Sequence, residues 1–279
     1  MPDSPRSPYR GRIAPSPTGY LHLGHAATFR TAWERAKPGT LVLRIEDLDG
    51  PRCHPEFCDA IVEDLRWFGL NWQEGPDTGG PYAPYVQSRR EYLPAWRRLR
   101  DAGLIYPCTC SRRDVLSALS APHEKDLPDE PLYPGTCRHR IAEAAAIENP
   151  AGVNWRFRVP DDEEIVFHDA RLGEQRAIAG RDFGDFIVWR KESIPSYQLA
   201  VVADDAAMAI TEVVRGEDLL KSTFRQLLLY RALGLPAPAW YHCPLVRDAQ
   251  GRRLAKRNDA LSLRNLRLSG ASPGIHQII

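Results

Sequence analysis

The N-terminal part of the chain alternates short apolar runs with longer segments whose apolar residues recur every three or four positions. A short apolar run predicts a buried strand, whereas the longer spacing predicts an amphipathic helix. A Pro-Gly pair follows the first helical segment and is typical of a helix end. The pattern therefore predicts strands at Arg12–Ala14 and Leu41–Glu46 and helices at His25–Ala36 and Asp59–Phe68.

The middle of the chain has a different texture, because between Gly103 and about Arg181 the cysteines cluster and the apolar runs shorten. After it the first pattern returns. The later predicted elements are strands at Ser196–Val202, Ala209–Val214 and Trp240–Val246 and a helix at Leu219–Leu233. Strands that alternate with helices form βαβ units and parallel sheets. We therefore expect an α/β fold, a doubly wound parallel sheet split by an insertion.

Composition and charge narrow the class of protein. The 279 residues suffice for one large domain or two smaller ones, and the formal net charge is +1. A nucleic-acid partner would therefore have to bind local basic patches. The sequence shows no apolar segment of membrane-spanning length and no secretory leader. With six cysteines and no export signal, thiols or metal ligands are expected rather than a disulfide framework, and the protein is expected in the cytoplasm.

The stretch RIAPSPTGYLHLGH, Arg12–His25, joins the first predicted strand to the first predicted helix. In it, His22 and His25 bracket Gly24. A helix N-terminus binds anions, because its unpaired N–H groups and its dipole both point at the ligand, and imidazoles there can hydrogen-bond phosphate oxygens. Two ordinary loop histidines are an alternative, and a zinc pair is a weaker one, since no third ligand lies nearby in the sequence. The stretch by itself does not decide between them.

The wider context is more specific. The pattern R-x-A-P-S-P-T-G-x-L-H-x-G-H followed by L-V-L-R-I-E-D-L-D resembles the start of the catalytic domain of class I glutamyl-tRNA synthetases. The resemblance implies a Rossmann-type domain that binds ATP with Mg²⁺, and a KMSKS-like loop late in the domain. In that loop Lys256 is retained, but Arg253 and Ala255 stand where a lysine and a serine are usual. The residues it implies for ATP binding are His22, Gly24, His25 and Lys256, with His22, His25 and Lys256 in catalytic roles.

The same resemblance implies a glutamate site. Arg12 and Glu46 lie at the carboxyl ends of predicted parallel strands, where doubly wound folds bind ligands. In the family, two arginines pair with the carboxylates, and a glutamate receives the ammonium group. The implied glutamate-binding residues are Arg12, Ile13, Ala14, Pro15, Ser16, Glu46, Tyr197 and Arg215. For neighbouring Arg44 and Asp47 we expect structural ion pairing, and Asp218 can simply belong to the first turn of the next helix.

Three cysteines in the middle segment predict a metal site. Cys108, Cys110 and Cys137 with one further donor would make a closed tetrahedral zinc site. Chemistry alone favours His139 as the fourth ligand, since imidazole binds zinc better than a phenol does. The pattern C-x-C followed by Y-x-x-x-C instead resembles the zinc site of glutamyl-Q tRNA(Asp) synthetases, which implies Tyr133. Fortuitous cysteines in a reducing compartment are the alternative.

The changes of texture divide the chain into five expected segments. These are a disordered tail at 1–9, the first half of the catalytic domain at 10–102, a zinc-containing, acceptor-binding-like insertion at 103–185, the second half with the KMSKS-like loop at 186–262, and a C-terminal tail at 263–279. About two dozen residues follow Lys256, and we therefore expect no anticodon-reading domain. This length again resembles the truncated glutamyl-Q paralogues.

The resemblance to the paralogues implies a function. Such enzymes are ligases that activate glutamate with ATP without tRNA and transfer it to queuosine at the wobble position of aspartate tRNA; we expect a monomer. Three alternatives stay open: a glutamyl-tRNA synthetase-like enzyme that charges a tRNA 3′ end, another HIGH-containing nucleotidyltransferase, and a degenerate zinc RNA-binding module. Candidate tRNA-binding clusters are Arg97, Arg98 and Arg100, and Arg252, Arg253, Lys256 and Arg257.

Overall fold

The computed structural model describes residues 8–111, 114, 132–246 and 262–272. Within them the strands are β1 (Arg10–Ile13), β2 (Thr40–Leu43), β3 (Ile105–Cys108), β4 (Asn154–Phe157), β5 (Glu164–Asp169), β6 (Gly173–Ile178), β7 (Phe186–Arg190), β8 (Ile194–Pro195), β9 (Glu212–Gly216) and β10 (Ala239–Cys243). The helices are α1 (Leu23–Arg35), α2 (Pro55–Trp67), α3 (Leu93–Asp101), α4 (Tyr197–Ala207), α5 (Leu220–Ala232) and α6 (Leu263–Leu268). None of these helices is long and apolar enough to cross a bilayer.

Two parallel strand pairs carry the first layer of the fold. β1 pairs with β2, and helix α1 makes the crossover between them. β9 pairs with β10. On its other side β10 pairs with β5, where Trp240 lies opposite Asp169, and β5 and β6 form an antiparallel hairpin. β1 packs beside β9, and the N–H of Thr211 donates to the carbonyl of Arg10 at 2.9 Å. The two pairs therefore lie side by side.

The second sheet is antiparallel, in the order β3-β4-β7-β8, and it carries Cys108 at the end of β3. Its apolar face is joined to the helices by large aromatic side chains. Trp96 on α3 and Trp155 on β4 meet edge to face with ring centroids 4.8 Å apart, and both are fully buried. The same buried cluster continues to Trp240 on β10. One hydrophobic core thus spans the antiparallel sheet and the β9–β10 pair.

The strand predicted at Ser196–Val202 is wrong, because this segment forms helix α4. Ser196 is its N-cap, and the serine hydroxyl accepts the N–H of Leu199 at 3.5 Å. The apolar run is continuous rather than amphipathic because α4 packs between α5 and β7, and periodicity cannot distinguish such a buried helix from a strand. The helix carries Asp204 and Asp205 into the interior at its C-terminal end.

The other predicted helices are confirmed as α1, α2 and α5, with bounds shifted by a few residues. The strands predicted at Arg12–Ala14, Ala209–Val214 and Trp240–Val246 are confirmed as β1, β9 and β10. The strand predicted at Leu41–Glu46 ends early, at Leu43. The chain continues extended, with Ile45 bridged to Val86, and this leaves Glu46 three residues beyond β2.

Candidate active site

A cavity of about 370 Å³ opens where β1, β9 and β10 end and α1 begins. It brings together ten of the residues predicted for ATP and glutamate: Arg12, Ala14, Pro15, Ser16, His22, Gly24, His25, Glu46, Tyr197 and Arg215. Ile13 is not among them, because its side chain is fully buried in the hydrophobic core. Lys256, Arg253 and Ala255 lie outside the described residues.

The two histidines form the N-terminal cap of α1. The Nδ1 of His22 accepts the N–H of Gly24 at 3.1 Å, and the Nδ1 of His25 accepts the N–H of His22 at 3.3 Å. The two rings stack with centroids 3.8 Å apart. Since each Nδ1 accepts, a neutral ring carries its proton on Nε2. A Cβ at Gly24 would lie 3.0 Å from the His22 ring, so a larger residue would disturb this pair.

A buried ionic cluster forms the opposite part of the cavity. Arg44 is fully buried and donates to Asp205 at 2.6 Å and to Glu46 at 2.9 Å. Arg12 donates to Asp205 at 3.3 Å and to the carbonyl of Val214 at 3.1 Å. The structural ion pairing predicted for Arg44 is therefore confirmed. Arg44 and Asp205 together fix the orientation of the two predicted glutamate-binding residues Arg12 and Glu46.

Burial and the arginines act in opposite directions on the two carboxylates of this cluster. Burial raises the pKa of Glu46, and Arg44 only partly offsets that rise. Burial also acts to raise the pKa of Asp205, but Arg44 and Arg12 outweigh it, so that this pKa lies below its ordinary value. Asp205 is thus the firmly ionised partner of both arginines.

Arg215 at the end of β9 has different surroundings. Its Nε donates to the Nε2 of His242 at 3.2 Å, Nη1 to Gln226 at 2.9 Å and Nη2 to Thr223 at 2.7 Å, and all three acceptors are neutral groups. Arg215 is only 5% exposed, and burial lowers its pKa below the ordinary value, to which nearby Arg12 contributes. A buried guanidinium with these neighbours favours an anionic ligand.

Two further residues named from the sequence have other environments. The carboxylate of Asp47 accepts the backbone N–H of Ser88 at 2.8 Å, so its contact is a hydrogen bond rather than the predicted ion pair. Asp218 lies in the short 3-10 turn before α5, as predicted, and also lines the cavity.

Sequence reasoning missed Asp205, which lies three residues beyond the predicted strand Ser196–Val202 and belongs to helix α4. It also missed His242, which lies fully buried on β10 between Asp169 and Arg215. The available signal for His242 was a histidine at an inward-facing position of an apolar strand. Such a residue needs buried polar partners.

The predicted basic clusters are only partly described. On α3, Arg97 and Arg98 are exposed, whereas Arg100 pairs with Asp101 at 2.7 Å and donates to the carbonyl of Ile147 at 2.8 Å. The cluster Arg252, Arg253, Lys256 and Arg257 lies outside the described residues.

The predicted metal-site cysteines lie together. The sulfur atoms of Cys108, Cys110 and Cys137 are all within 4.8 Å of one another. The hydroxyl of Tyr133 lies 3.4 Å from the sulfurs of Cys108 and Cys110 and accepts the N–H of Cys137 at 2.9 Å. His139, the other predicted fourth ligand, is exposed. The three sulfurs thus form a cluster that could hold a zinc ion, and the hydroxyl of Tyr133 lies beside it.

Charged neighbours support the cysteine cluster. Arg156 on β4 donates from Nε to the Sγ of Cys108 at 3.3 Å, and its guanidinium lies 3.8 Å from the ring centroid of Tyr133. Against the cost of burial, hydrogen bonds from the Tyr133 hydroxyl and the Thr109 N–H lower the pKa of Cys137 to about 6. The thiolate form, which a metal ion requires, is thus favoured at Cys137, whereas burial raises the pKa of Cys110 to about 11.

Known proteins with similar sequences belong to the family that the cavity residues indicate. Residues 9–272 match the protein family described as tRNA synthetases class I (E and Q), catalytic domain. The chain is 50% identical over 270 residues to the glutamyl-Q tRNA(Asp) synthetase of Symbiobacterium thermophilum, covering 94% of this chain and 82% of that protein. It is 44% identical over 267 residues to glutamate–tRNA ligase 2 of Acidithiobacillus ferrooxidans, covering 94% of this chain but 55% of the ligase.

A solved structure gives the same result for the fold. The glutamate–tRNA synthetase of Elizabethkingia anophelis superposes with a TM-score of 0.75 at 31% identity, covering 90% of this chain and 53% of that one. The chain therefore spans about half the length of the full glutamate–tRNA ligases it matches, and most of the length of the glutamyl-Q relative.

Proposed function

The chain belongs to the class I tRNA synthetases (E and Q), and we propose that it activates glutamate with ATP and transfers the glutamyl group to queuosine in tRNA(Asp). The 50% identity to a glutamyl-Q tRNA(Asp) synthetase, over 82% of that relative's length, supports this specific reaction. The structural observation that carries the proposal is the placement of Arg12, Glu46 and Arg215 around the cavity into which α1 opens.

The charged groups of the cavity suit glutamate. Arg12 and Arg215 are cations for its two carboxylates, and Glu46 is an anion for its ammonium group. Tyr197 is 39% exposed at the cavity wall and would shape the pocket around the side chain. Ala14, Pro15 and Ser16 also line the cavity and would lie between the glutamate and the phosphates of ATP.

ATP would bind at the start of α1. The Nε2 protons of His22 and His25 are suited to donate to phosphate oxygens, beside the helix N-terminus and its dipole. Gly24 lets the phosphates approach the backbone. Lys256, outside the described residues, would supply a cation from the KMSKS-like loop, and Mg²⁺ would accompany the ATP.

The first half-reaction then follows from position and charge. The α-carboxylate oxygen of glutamate attacks the α-phosphorus of ATP in line, and pyrophosphate leaves with the electron pair of the broken P–O bond. Developing negative charge on the phosphate would be stabilised by the two histidines and the helix N-terminus. In the second half-reaction a hydroxyl of the queuosine cyclopentenediol attacks the mixed anhydride, and AMP leaves.

Zinc fits the cysteine cluster on the evidence of its donors. Cys108, Cys110 and Cys137 would supply thiolates and Tyr133 a phenolate, with a structural ion joining β3 to the segment that precedes Arg138. None of these four residues lines the cavity described above. His139, which is exposed, is the weaker candidate for the fourth ligand.

The arrangement of the whole chain is part of the proposal. We interpret the two parallel pairs as parts of one doubly wound catalytic sheet, with the halves of the catalytic domain at 10–102 and 186–262 and the zinc-containing insertion at 103–185. Two pairings cross these bounds, since β5 of the insertion pairs with β10 and β7 of the second half pairs with β4. The enzyme would act as a monomer, and a tRNA substrate would place it in the cytoplasm.

Transfer of [14C]glutamate tests the function. Purified enzyme is mixed with ATP, glutamate and tRNA(Asp) that either carries queuosine or lacks it, and label is followed before and after mild alkaline treatment. Label that requires queuosine supports the proposal. Label on unmodified tRNA(Glu) would assign the chain to 3′-end charging instead, and an absence of glutamate-dependent ATP–pyrophosphate exchange would leave a non-catalytic RNA-binding module.

A further inference from the structure

A chain of buried polar groups runs from β5 to the cavity through Asp169, His242 and Arg215. The Nδ1 of His242 lies 2.7 Å from the Oδ2 of Asp169, and its Nε2 accepts the Nε–H of Arg215 at 3.2 Å. Asp169 and His242 are fully buried, and Arg215 is 5% exposed. The three strands that carry these residues are neighbours in one sheet, since β10 pairs with both β5 and β9.

The donors fix the protonation of the imidazole. A guanidinium only donates, so the Nε2 of His242 must accept from Arg215 and the ring proton must lie on Nδ1, where Asp169 accepts it. Asp169 is itself held by the backbone N–H groups of Arg171 at 3.0 Å and Leu172 at 2.9 Å. Burial and the nearby Arg215 lower the pKa of His242 to about 4, so the ring is neutral at physiological pH.

The contacts leave a defined part of Arg215 for a ligand. A guanidinium has five N–H groups, and His242, Gln226 and Thr223 accept three of them. One further N–H remains on each terminal nitrogen, Nη1 and Nη2, and the side chain of Tyr197 at the cavity wall also hydrogen-bonds this guanidinium. A carboxylate can accept such a pair with its two oxygens.

The surroundings of Arg12 show why a neutral acceptor matters. Arg12 and Arg44 contact the carboxylate of Asp205 directly, so a protein anion already balances much of their charge. At Arg215 the carboxylate of Asp169 is one imidazole ring further away. Orientation is therefore kept, while the positive charge of the guanidinium stays available to a substrate anion.

We propose that His242, backed by Asp169, is a positioning residue that holds Arg215 for a substrate carboxylate without neutralising it. The inference rests on the proposed function, in which glutamate supplies that carboxylate. His242 would thus contribute to amino-acid binding through Arg215, although it makes no contact with the amino acid itself.

Two amide variants test separately the hydrogen bonds that His242 makes at Nδ1 and at Nε2. In His242→Gln the side-chain oxygen can reach the position of Nε2 and accept from Arg215. In His242→Asn the shorter amide can still meet Asp169 but not Arg215. Both variants keep a polar group in the same buried place, and His168→Gln, an exposed histidine on β5, is the matched control.

The assay is glutamate-dependent ATP–pyrophosphate exchange, with KM determined for glutamate and for ATP, and glutamate binding measured by calorimetry without ATP. We expect His242→Asn to raise the KM and the Kd for glutamate about ten- to a hundredfold, from the loss of a hydrogen bond to a charged group. The KM for ATP should stay within about twofold. His242→Gln should recover most of the glutamate affinity, and His168→Gln should match the wild type.

Other results overturn the inference. Equal glutamate affinity in His242→Asn and the wild type would show that Arg215 does not need the imidazole. A joint rise of both KM values, or equal losses in the Asn and Gln variants, would indicate a structural role only. If the wild type showed neither exchange nor glutamate binding, both the proposed function and the inference would be wrong. The wild-type measurements alone distinguish this outcome from a failure of the inference only.

Discussion

Replacing Asp205 by asparagine should destabilise the protein more than the same replacement at a surface aspartate. The carboxylate is fully buried and lies 2.6 Å from Arg44 and 3.3 Å from Arg12, which are themselves 0% and 4% exposed. Removing one partner of a buried ion pair costs about 3–5 kcal/mol, because a buried charge is left uncompensated. Asparagine keeps the volume and one acceptor oxygen, so we expect a loss of about 3 kcal/mol in the free energy of unfolding, measured by urea titration.

Asp162→Asn is the matched control. Asp162 pairs with Arg181 at 2.6 Å, but the two side chains are 65% and 66% exposed, and surface pairs contribute about 0–1 kcal/mol. Its φ of 57° is one that asparagine tolerates. A loss in Asp205→Asn no larger than that in the control would refute the role given to the buried cluster.

The pH dependence gives the Asp205 prediction a sign. Because the pKa of Asp205 is depressed in the folded protein, its contribution is present above the unfolded value of about 3.9. It is lost only as the pH falls through the lower folded value. The stability difference between wild type and Asp205→Asn should therefore be constant from about pH 5 to 8. A difference that disappears on mild acidification would contradict the ionised state of this carboxylate.

Three further predictions concern the ligands. His25→Ala should lower ATP–pyrophosphate exchange by about 10²–10³-fold with little change in stability, while alanine at the exposed His54 should not; near wild-type exchange would exclude the phosphate role. Because burial raises the pKa of Glu46, its ionised fraction falls at a higher pH than for an ordinary glutamate. The KM for glutamate should thus rise on acidification in the wild type, and this dependence should weaken in Glu46→Gln; equal KM profiles would argue against an ammonium contact. Metal analysis should find one zinc per chain in the wild type and in His139→Ala but a large loss in Cys137→Ser, and zinc loss in the His139 variant would reverse the choice of fourth ligand.

The elements that the sequence predicts well are those whose apolar residues show one face. Helix α2 has such a pattern, with Ile61 and Leu65 buried on one face, and its position is confirmed within a few residues. Helix α4 shows none, because it is buried on several sides, and Leu199, Ala200, Val201 and Val202 are all inside. Its N-cap, Ser196, was a local signal for a helix that the apolar run outweighed.

The residues of the candidate site also fall into two groups, those that the sequence could locate and those that it could not. Residues of the N-terminal motif could be placed at a helix start because their signal is local. The partners that orient them could not, since Arg12 and Asp205 are 193 positions apart and contact each other only in the folded chain. Tyr197 and Arg215 were recognised by their resemblance to family positions, and no periodicity would have located them.

The charges around the amino-acid end of the cavity explain why an acidic substrate suits it. Among the described residues there, Arg12 and Arg44 share the carboxylate of Asp205, and Arg44 also pairs with Glu46. The three side chains that accept from Arg215 are neutral. In the proposed function a substrate carboxylate compensates Arg215. Glutamine has the same shape as glutamate but one carboxylate fewer, so it would leave a cavity guanidinium without an anion. Since an uncompensated buried charge costs several kcal/mol, the surroundings of Arg215 favour glutamate over glutamine.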